Sequence, residues 1–245
     1  MEWPILFYGL LLVIAFLYAS VGHGGASGYI ALMTLFSFSP DVIRPAALVM
    51  NVFVSGLSFY HFYKEGFFRK DLFFPLAIAS IPAAFIGGMM EVDAHLYKMI
   101  LGVILCIPVL SLSGLVKMKE RESRMNPSFA FLLLIGCIIG FFSGMIGIGG
   151  GIILSPLILF FGWAKMKETA AVSALFILVN SLAGIFGQKM VGMQLDLNMG
   201  ILVGLVMIGG FVGAFFGASK WNKNRLEKVL AFVLVIAVYK LIFTG

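Results

Sequence analysis

The stretch Ser143-Gly144-Met145-Ile146-Gly147-Ile148-Gly149-Gly150-Gly151 decides the fold of this chain, and Ser155-Pro156 follows it closely. It joins two apolar runs, at about 128–145 and 151–163. Glycine at this density interrupts a helix. Backbone without helical hydrogen bonds is not tolerated against lipid, but it is tolerated where protein buries it or where it lines a cavity. The stretch therefore predicts a break between two helical segments inside a membrane protein.

Composition points to the same class. The chain of 245 residues is 61% hydrophobic and 11% charged. Soluble domains carry about 25% charged and about 45–50% apolar residues, and a soluble core of this size could not hide the excess. Apolar runs lie at about 3–20, 27–39, 43–62, 72–90, 95–115, 128–145, 151–163, 169–188, 197–218 and 226–244. Most have the ~17–25 residues that a spanning helix needs, which predicts an all-α polytopic membrane protein.

Minor features exclude other classes. The first run begins Met1-Glu2 rather than with a basic region, so we expect it to be kept and not cleaved as a signal peptide. Cys106 and Cys137 lie inside apolar runs, which predicts neither a disulfide nor a metal site. The net charge of +6 comes from short loops, as at the cytoplasmic face of a membrane protein, and does not indicate nucleic acid.

The chain repeats itself with an offset of about 125 residues. Corresponding pairs are Gly22-His23-Gly24-Gly25 with Gly147-Ile148-Gly149-Gly150, Ala46-Ala47 with Ala170-Ala171, Gly66 with Gly192, Asp71 with Asp196, and Gly88 with Gly213. We predict two copies of one five-segment unit, at 1–116 and 128–245, joined by a polar linker at 117–127. Each copy has a short or broken segment after its glycine cluster.

Charge predicts how the two copies are oriented. If the four most basic loops are cytoplasmic, 13 of 17 Lys and Arg residues lie inside, and the linker 117–127 is cytoplasmic too. Equivalent loops then fall on opposite sides, because 64–71 is basic while 188–196 has one Lys. This is an inverted-topology repeat in an inner membrane. Either all five segments of a copy cross, or the first two form a re-entrant hairpin, and charge does not separate these alternatives.

The glycine clusters predict an anion site. In an inverted repeat the two breaks enter from opposite faces and can meet near the midplane. Helix N-termini there carry about half a positive charge each, and glycine lets a small anion approach the amides closely. The alternative is that these glycines only permit tight helix packing. All 11 acidic residues lie at segment ends or in loops, whereas carriers of cations keep a carboxylate inside the membrane.

Single polar residues then complete the expected site. Buried amides such as Asn51 and Asn180 either bridge helices or face a pathway, and His23 is placed to relay a proton. Arg44 either snorkels to the surface or attracts anions at an entrance. We predict no catalytic residue, no metal ligand and no cofactor. The predicted substrate-binding residues are Gly22, His23, Gly24, Gly25, Ser27, Asn51, Gly147, Gly149, Gly150, Gly151, Ser173, Asn180 and Gln188.

With these residues in view, the chain resembles the TauE/SafE family of sulfite and organosulfonate exporters over nearly its whole length. The resemblance rests on Gly144–Gly151 with Ser155-Pro156-Leu157, on Ala170-Ala171-Val172-Ser173, and on Asn180-Ser181-Leu182-Ala183-Gly184 leading to Gly192. It implies a carrier that usually exports sulfur-containing or carboxylic anions and has no ATPase of its own.

We therefore predict a secondary transporter, not an enzyme, that exports a small anion by alternating access. Its expected partners are that anion and the lipid bilayer, and a homodimer is left open. One alternative is a rhomboid-like intramembrane serine protease, because Gly25-Ala26-Ser27-Gly28 matches the rhomboid pattern and His61 could act as a base. The other is a channel, or a permease subunit that needs a partner ATPase.

Overall fold

The structure is a computed structural model, and it describes residues 5–20, 25–112, 127–192, 199–217, 235 and 238–239. Within these ranges the chain forms nine helices and no strand, which confirms the all-α prediction. They are α1 Ile5–Ser20, α2 Ala26–Leu35, α3 Pro40–Lys64, α4 Lys70–Met89, α5 Ala94–Leu112, α6 Phe129–Ile146, α7 Gly151–Phe160, α8 Met166–Met190 and α9 Met199–Gly217. The predicted linker and the last apolar run fall largely outside the described residues.

Four of these helices, α3, α4, α6 and α8, are long and apolar enough to cross a membrane. A helix rises about 1.5 Å per residue, so the 25 residues of α3 and of α8 exceed a hydrocarbon core of about 30 Å. The short helices α2 and α7 have 10 residues each, too few to cross alone. Large apolar side chains such as Ile5, Val103 and Phe211 are more than half exposed, as lipid-facing residues are. The protein is a polytopic membrane protein.

The two halves repeat the same local conformations. Gly25 precedes α2 with φ 75° and Gly150 precedes α7 with φ 78°, both in the left-handed region. After each short helix the chain turns back through another left-handed residue, Ser37 (φ 60°) or Gly162 (φ 67°). Each of these four positions has its partner 125 residues away. These four turns have the spacing of the sequence offset, and the five-segment repeat itself stays a prediction.

Helices of the two halves pack mainly on each other. The most extensive contacts are those of α4 with α6 and with α8, of α1 with α9, and of α3 with α8. On α6, a glycine every fourth residue lets the backbones touch, since a methyl group at Gly140 would lie 2.6 Å from Cα of Ser80. On α9, a methyl group at Gly209 would lie 2.6 Å from the carbonyl oxygen of Leu12 on α1. For these glycines, tight helix packing is the right interpretation.

Candidate functional site

The turn between α6 and α7 is a left-handed glycine turn buried among helices. The amides of Gly147 and Ile148 donate to the Ser143 carbonyl at 2.9 and 3.2 Å, which ends α6. Gly147, Gly149 and Gly150 have φ values of 88°, 78° and 78°, which only glycine adopts without steric cost. Every residue from Gly147 to Gly151 is buried. We call residues 147–151 the glycine turn.

Three amides of the glycine turn have no carbonyl or side-chain acceptor within the described chain, and they belong to Gly149, Gly150 and Gly151. The Gly150 carbonyl instead accepts from Ile153 and Leu154 at 3.1 and 3.0 Å, which starts α7. Unsatisfied amides of this kind are a property of every helix N-terminus and carry partial positive charge. Here they are enclosed by protein.

Two polar side chains from different helices approach the turn at Gly149. A methyl group added there would lie 2.9 Å from Nδ2 of Asn51 on α3 and 3.0 Å from Oγ of Ser181 on α8. Asn51 Nδ2 donates to the Ile148 carbonyl at 3.2 Å. Both side chains are 0% exposed, and neither Asn51 Oδ1 nor Ser181 Oγ has a hydrogen-bond partner among the residues that the structure describes. Buried polar atoms rarely remain unpaired, so these two atoms can pair with an ordered water or with a polar ligand.

Asn180 is connected to the glycine turn through Phe176. Its Nδ2 donates to the Phe176 carbonyl at 2.8 Å, and the Phe176 ring lies 2.8 Å from the methyl position of Gly150. Asn180 Oδ1 is buried and, in the described part of the chain, unpaired. Ser143 Cβ lies 3.4 Å from that same methyl position, and its hydroxyl is likewise buried without a described partner.

The remaining residues predicted in the second half lie along α8. Ser173 accepts a hydrogen bond from Ser155 at 2.9 Å, and its carbonyl lies 3.5 Å from the methyl position of Gly151, so it borders the glycine turn. Gln188 is 3% exposed, and both of its amide atoms lack partners within the described ranges. Gln188 lies near the C-terminal end of α8, and its role stays a prediction.

The first-half cluster has different surroundings. Gly22, His23 and Gly24 lie outside the described residues. Ser27 is hydrogen-bonded to the Tyr18 hydroxyl at 2.8 Å, and the Tyr29 hydroxyl lies against the position that a methyl group at Gly25 would take. Tyrosine side chains therefore fill the space beside Gly25, whereas Phe176, Ile139 and Ser143 lie beside Gly150, 125 residues later.

Arg44 is placed at a helix end. One nitrogen of its guanidinium, Nη2, donates to the carbonyls of Gly88 and Met90 at 3.3 and 3.1 Å, which satisfies the C-terminal end of α4. Its own backbone carbonyl lies 2.8 Å from the methyl position of Gly147. Arg44 thus joins α3, α4 and the glycine turn, and its role as an entrance stays a prediction.

Sequence reasoning missed Ser181 and Ser143 as site residues. Ser181 lies eight residues after Ser173 and therefore on the same face of α8, so helical periodicity from Ser173 would have found it. Ser143 opens the quoted glycine stretch, but serine in a glycine-rich segment gives no signal of burial. It was the structure that showed both hydroxyls to be 0% exposed.

The serine protease alternative does not fit. Ser27 is fully buried and its hydrogen-bond partner is Tyr18, while His61 lies exposed near the end of α3, 3.9 Å from Glu65. A serine nucleophile needs its base within hydrogen-bond reach. The apolar helices and the enclosed polar turn instead define a multi-pass membrane protein of the transporter class.

The chain belongs to the TauE/SafE sulfite exporter family, whose model, described as "Sulfite exporter TauE/SafE", matches residues 7–241. It is 35% identical to the probable membrane transporter protein y4hK of Sinorhizobium fredii, over 94% of this chain and 95% of that protein. It is 26% identical to the probable membrane transporter protein MJ0441 of Methanocaldococcus jannaschii, over 74% of this chain and 72% of that one. No solved structure matches. The protein is a membrane transporter and not an enzyme.

Proposed function

We propose that this chain is a secondary transporter that exports a small anion, such as sulfite, a sulfonate or another sulfur-containing or carboxylic anion, across the inner membrane. The observation that carries the proposal is the glycine turn, where three amides lie near Asn51 Oδ1 and Ser181 Oγ, and none of these groups has a hydrogen-bond partner among the described residues. Amides and hydroxyls at a helix N-terminus suit an anion, because their donors and the helix dipole both favour negative charge.

The distribution of carboxylates supports an anion rather than a cation. Within the described residues every Asp and Glu lies at a helix end or in a loop. A cation bound inside the membrane would need such a counter-charge. The dipoles of the turn suffice for one small negative charge.

Ion pairs at one end of the bundle support an inverted repeat. Arg69, just before α4, lies 3.8 Å from Glu168 at the start of α8, and Glu65, just after α3, lies 3.9 Å from Lys167. The hydrogen bond from Arg69 to Asp71 raises the pKa of the Arg69 guanidinium, so it stays charged. The end of α3 and the start of α8 therefore share a face of the bundle.

The length of α3 then indicates on which membrane faces the starts of α3 and α8 lie. If α3 crosses the membrane, its start at Pro40 lies on the face opposite to the start of α8 at Met166. These two starts are equivalent positions of the repeat, so equivalent positions lie on opposite faces, as the charges of the loops predict. We propose residues 1–116 and 128–245 as the two repeats, and the basic residues of 117–127 support a cytoplasmic position for this linker.

Burial of the glycine turn supports alternating access. Since Gly147–Gly151 are all buried, an anion reaches them only when the enclosing helices separate. The main helix contacts, α3 with α8 and α4 with α6, join one repeat to the other. Rocking one repeat against the other would open these contacts first towards one side and then towards the other.

Flux through proteoliposomes tests the proposal. Purified protein is reconstituted, and efflux and counterflow of sulfite, thiosulfate, small sulfonates and small carboxylates are measured. We expect saturable counterflow of at least one of these anions, which a channel would not give. A Ser181→Ala variant should lower this flux, whereas the matched control Ser55→Ala, whose hydroxyl donates to the Asn51 carbonyl within its own helix, should retain it. The absence of flux for every anion in both directions would overturn the proposal.

A further inference from the structure

We infer that the anion bound at the glycine turn carries an O–H group, so that the transported species is a singly protonated oxyanion rather than a fully deprotonated one. The inference rests on the proposed function and concerns the same site. It starts from the direction of two buried amides, those of Asn51 and Asn180.

Backbone carbonyls fix these directions. Asn51 Nδ2 donates to the Ile148 carbonyl at 3.2 Å, and Asn180 Nδ2 donates to the Phe176 carbonyl at 2.8 Å. A carbonyl oxygen only accepts hydrogen bonds, so rotating either side-chain amide by half a turn would bring two acceptors together. In both residues the nitrogen must face the backbone and the oxygen must face away from it.

Both oxygens are therefore hydrogen-bond acceptors that have no donor among the described residues. Asn51 Oδ1 and Asn180 Oδ1 belong to side chains that are 0% exposed, and neither has a hydrogen-bond partner in the described residues. Leaving a buried acceptor unpaired is costly, and a ligand that brings a donor removes the cost. Asn51 is the better placed of the two, since its amide lies beside Gly149.

The site thus presents donors and acceptors together. The amides of Gly149–Gly151 can only donate, and the Ser181 hydroxyl can donate or accept. A fully deprotonated anion could satisfy these donors, but its oxygens would be repelled by Asn51 Oδ1. An anion with one O–H satisfies both sets, because its charged oxygens accept from the turn while its hydroxyl donates to the asparagine oxygen.

Two tetrahedral anions of similar size separate the possibilities. In mildly acidic buffer, methylphosphonate and methanesulfonate each carry one negative charge, but only methylphosphonate has an O–H. Binding of each to the purified full chain is measured by calorimetry and by competition with the transported anion. We expect methylphosphonate to bind at least about tenfold more tightly, because a site built to pair a substrate hydroxyl rejects the analogue that lacks it. Equal binding, or tighter binding of methanesulfonate, would overturn the inference.

Variants assign the preference to the two amides. Asn51→Leu and Asn180→Leu each remove an unpaired oxygen, and each should bring the ratio of the two affinities towards one. Ser55→Ala, on the same helix as Asn51, should keep the wild-type ratio. A preference for methylphosphonate that survives in both leucine variants would contradict the assignment. If the leucine variants fail to fold, the wild-type comparison still decides the inference.

The outcomes distinguish this inference from the proposed function. Sulfite flux together with equal binding of the two probes would leave the transporter in place and remove only the requirement for an O–H. No anion flux and no binding of either probe would overturn both.

Discussion

The side-chain amide of Asn51, on α3 of the first half, holds the Ile148 carbonyl in the glycine turn of the second half, at 3.2 Å. A residue of the first half thus fixes the backbone geometry just before α7 in the second half. The proposed site would therefore be shared between the halves, and movement of one half against the other would change it directly.

Replacing Asn51 should therefore reduce both stability and transport. Asn51→Leu leaves the buried Ile148 carbonyl without its donor, which typically costs about 1–3 kcal/mol. We expect a lower melting temperature in a detergent-based thermal assay and at least a tenfold loss of anion flux. The Ser55→Ala variant serves as the control, and unchanged flux in Asn51→Leu would show that the amide does not organise the turn.

A methyl group at Gly149 should be more damaging than one at a helical glycine. Gly149→Ala forces alanine into φ +78° and places its methyl 2.8–3.0 Å from Ile177, Asn51 and Ser181. The left-handed conformation alone costs about 1–2 kcal/mol, and the contacts add to it. Thermal unfolding should show a clear loss of stability, and flux should fall.

Gly56→Ala is the matched control for Gly149→Ala. It adds the same methyl within α3, where the nearest atom outside that helix's own backbone is 3.9 Å away, on Leu178. Alanine is favoured over glycine in a helix interior by about 1 kcal/mol, so this variant should be neutral or slightly more stable. Equal losses in both variants would indicate that any added methyl is tolerated poorly and that the turn is not special.

Substitutions of Arg44 distinguish two roles for this residue, attraction of anions at an entrance and capping of the C-terminal end of α4. If its main role is to bind the carbonyls of Gly88 and Met90, Arg44→Lys and Arg44→Gln should both lower stability, by about 1.5–3 kcal/mol for a lost charged hydrogen bond. If it mainly attracts anions, Arg44→Lys should retain flux and Arg44→Gln should raise the KM. Measuring melting temperature and KM on both variants separates the two roles.

The ion pairs between the loops predict an accessible cross-link. After Cys106 and Cys137 are replaced by alanine, Glu65→Cys and Lys167→Cys should be joined by a short bifunctional methanethiosulfonate reagent, because the charged ends of the two native side chains lie 3.9 Å apart. The cross-link joins the two repeats at one face, so it should block flux, and reduction should restore it.

Labelling in oriented vesicles checks the side on which this face lies. Both single cysteines should react with a membrane-impermeant reagent only from the cytoplasmic side. Labelling of the two positions from opposite sides would contradict the inverted repeat. The Glu65–Lys167 ion pair is exposed and worth at most about 1 kcal/mol, so the mutations should not unfold the protein.

Sequence patterns predicted the helices well, because lipid leaves few alternatives. Runs of apolar residues without charge must form helices in a bilayer, so α3, α4, α6 and α8 follow from hydropathy. The glycine density at 144–151 predicted the break before α7, since glycine is a poor helix former and tolerates positive φ. The offset of 125 residues then predicted that α2 would begin after a similar turn at Gly25.

The contacts at the site were harder to predict. That Asn51 would reach Ile148, 97 residues away, depends on the packing of α3 against α8, which no local pattern encodes. Arg44 could be read as surface-seeking or anion-attracting, but its pairing with the carbonyls of α4 depends on where that helix ends. Helical periodicity from Ser173 places Ser181 on the same face of α8, but Ser181 was not among the predicted site residues.

The tyrosines around α2 have a consequence for where one chain binds anions. In a duplicated transporter, equivalent positions of the two halves would each offer an anion site, but the phenol rings of Tyr18 and Tyr29 occupy the space beside Gly25 and Gly28. Beside Gly150, 125 residues after Gly25, the neighbouring side chains are Phe176, Ile139 and Ser143 instead. We therefore expect no anion to bind beside Gly25 or Gly28 at any stage of the transport cycle.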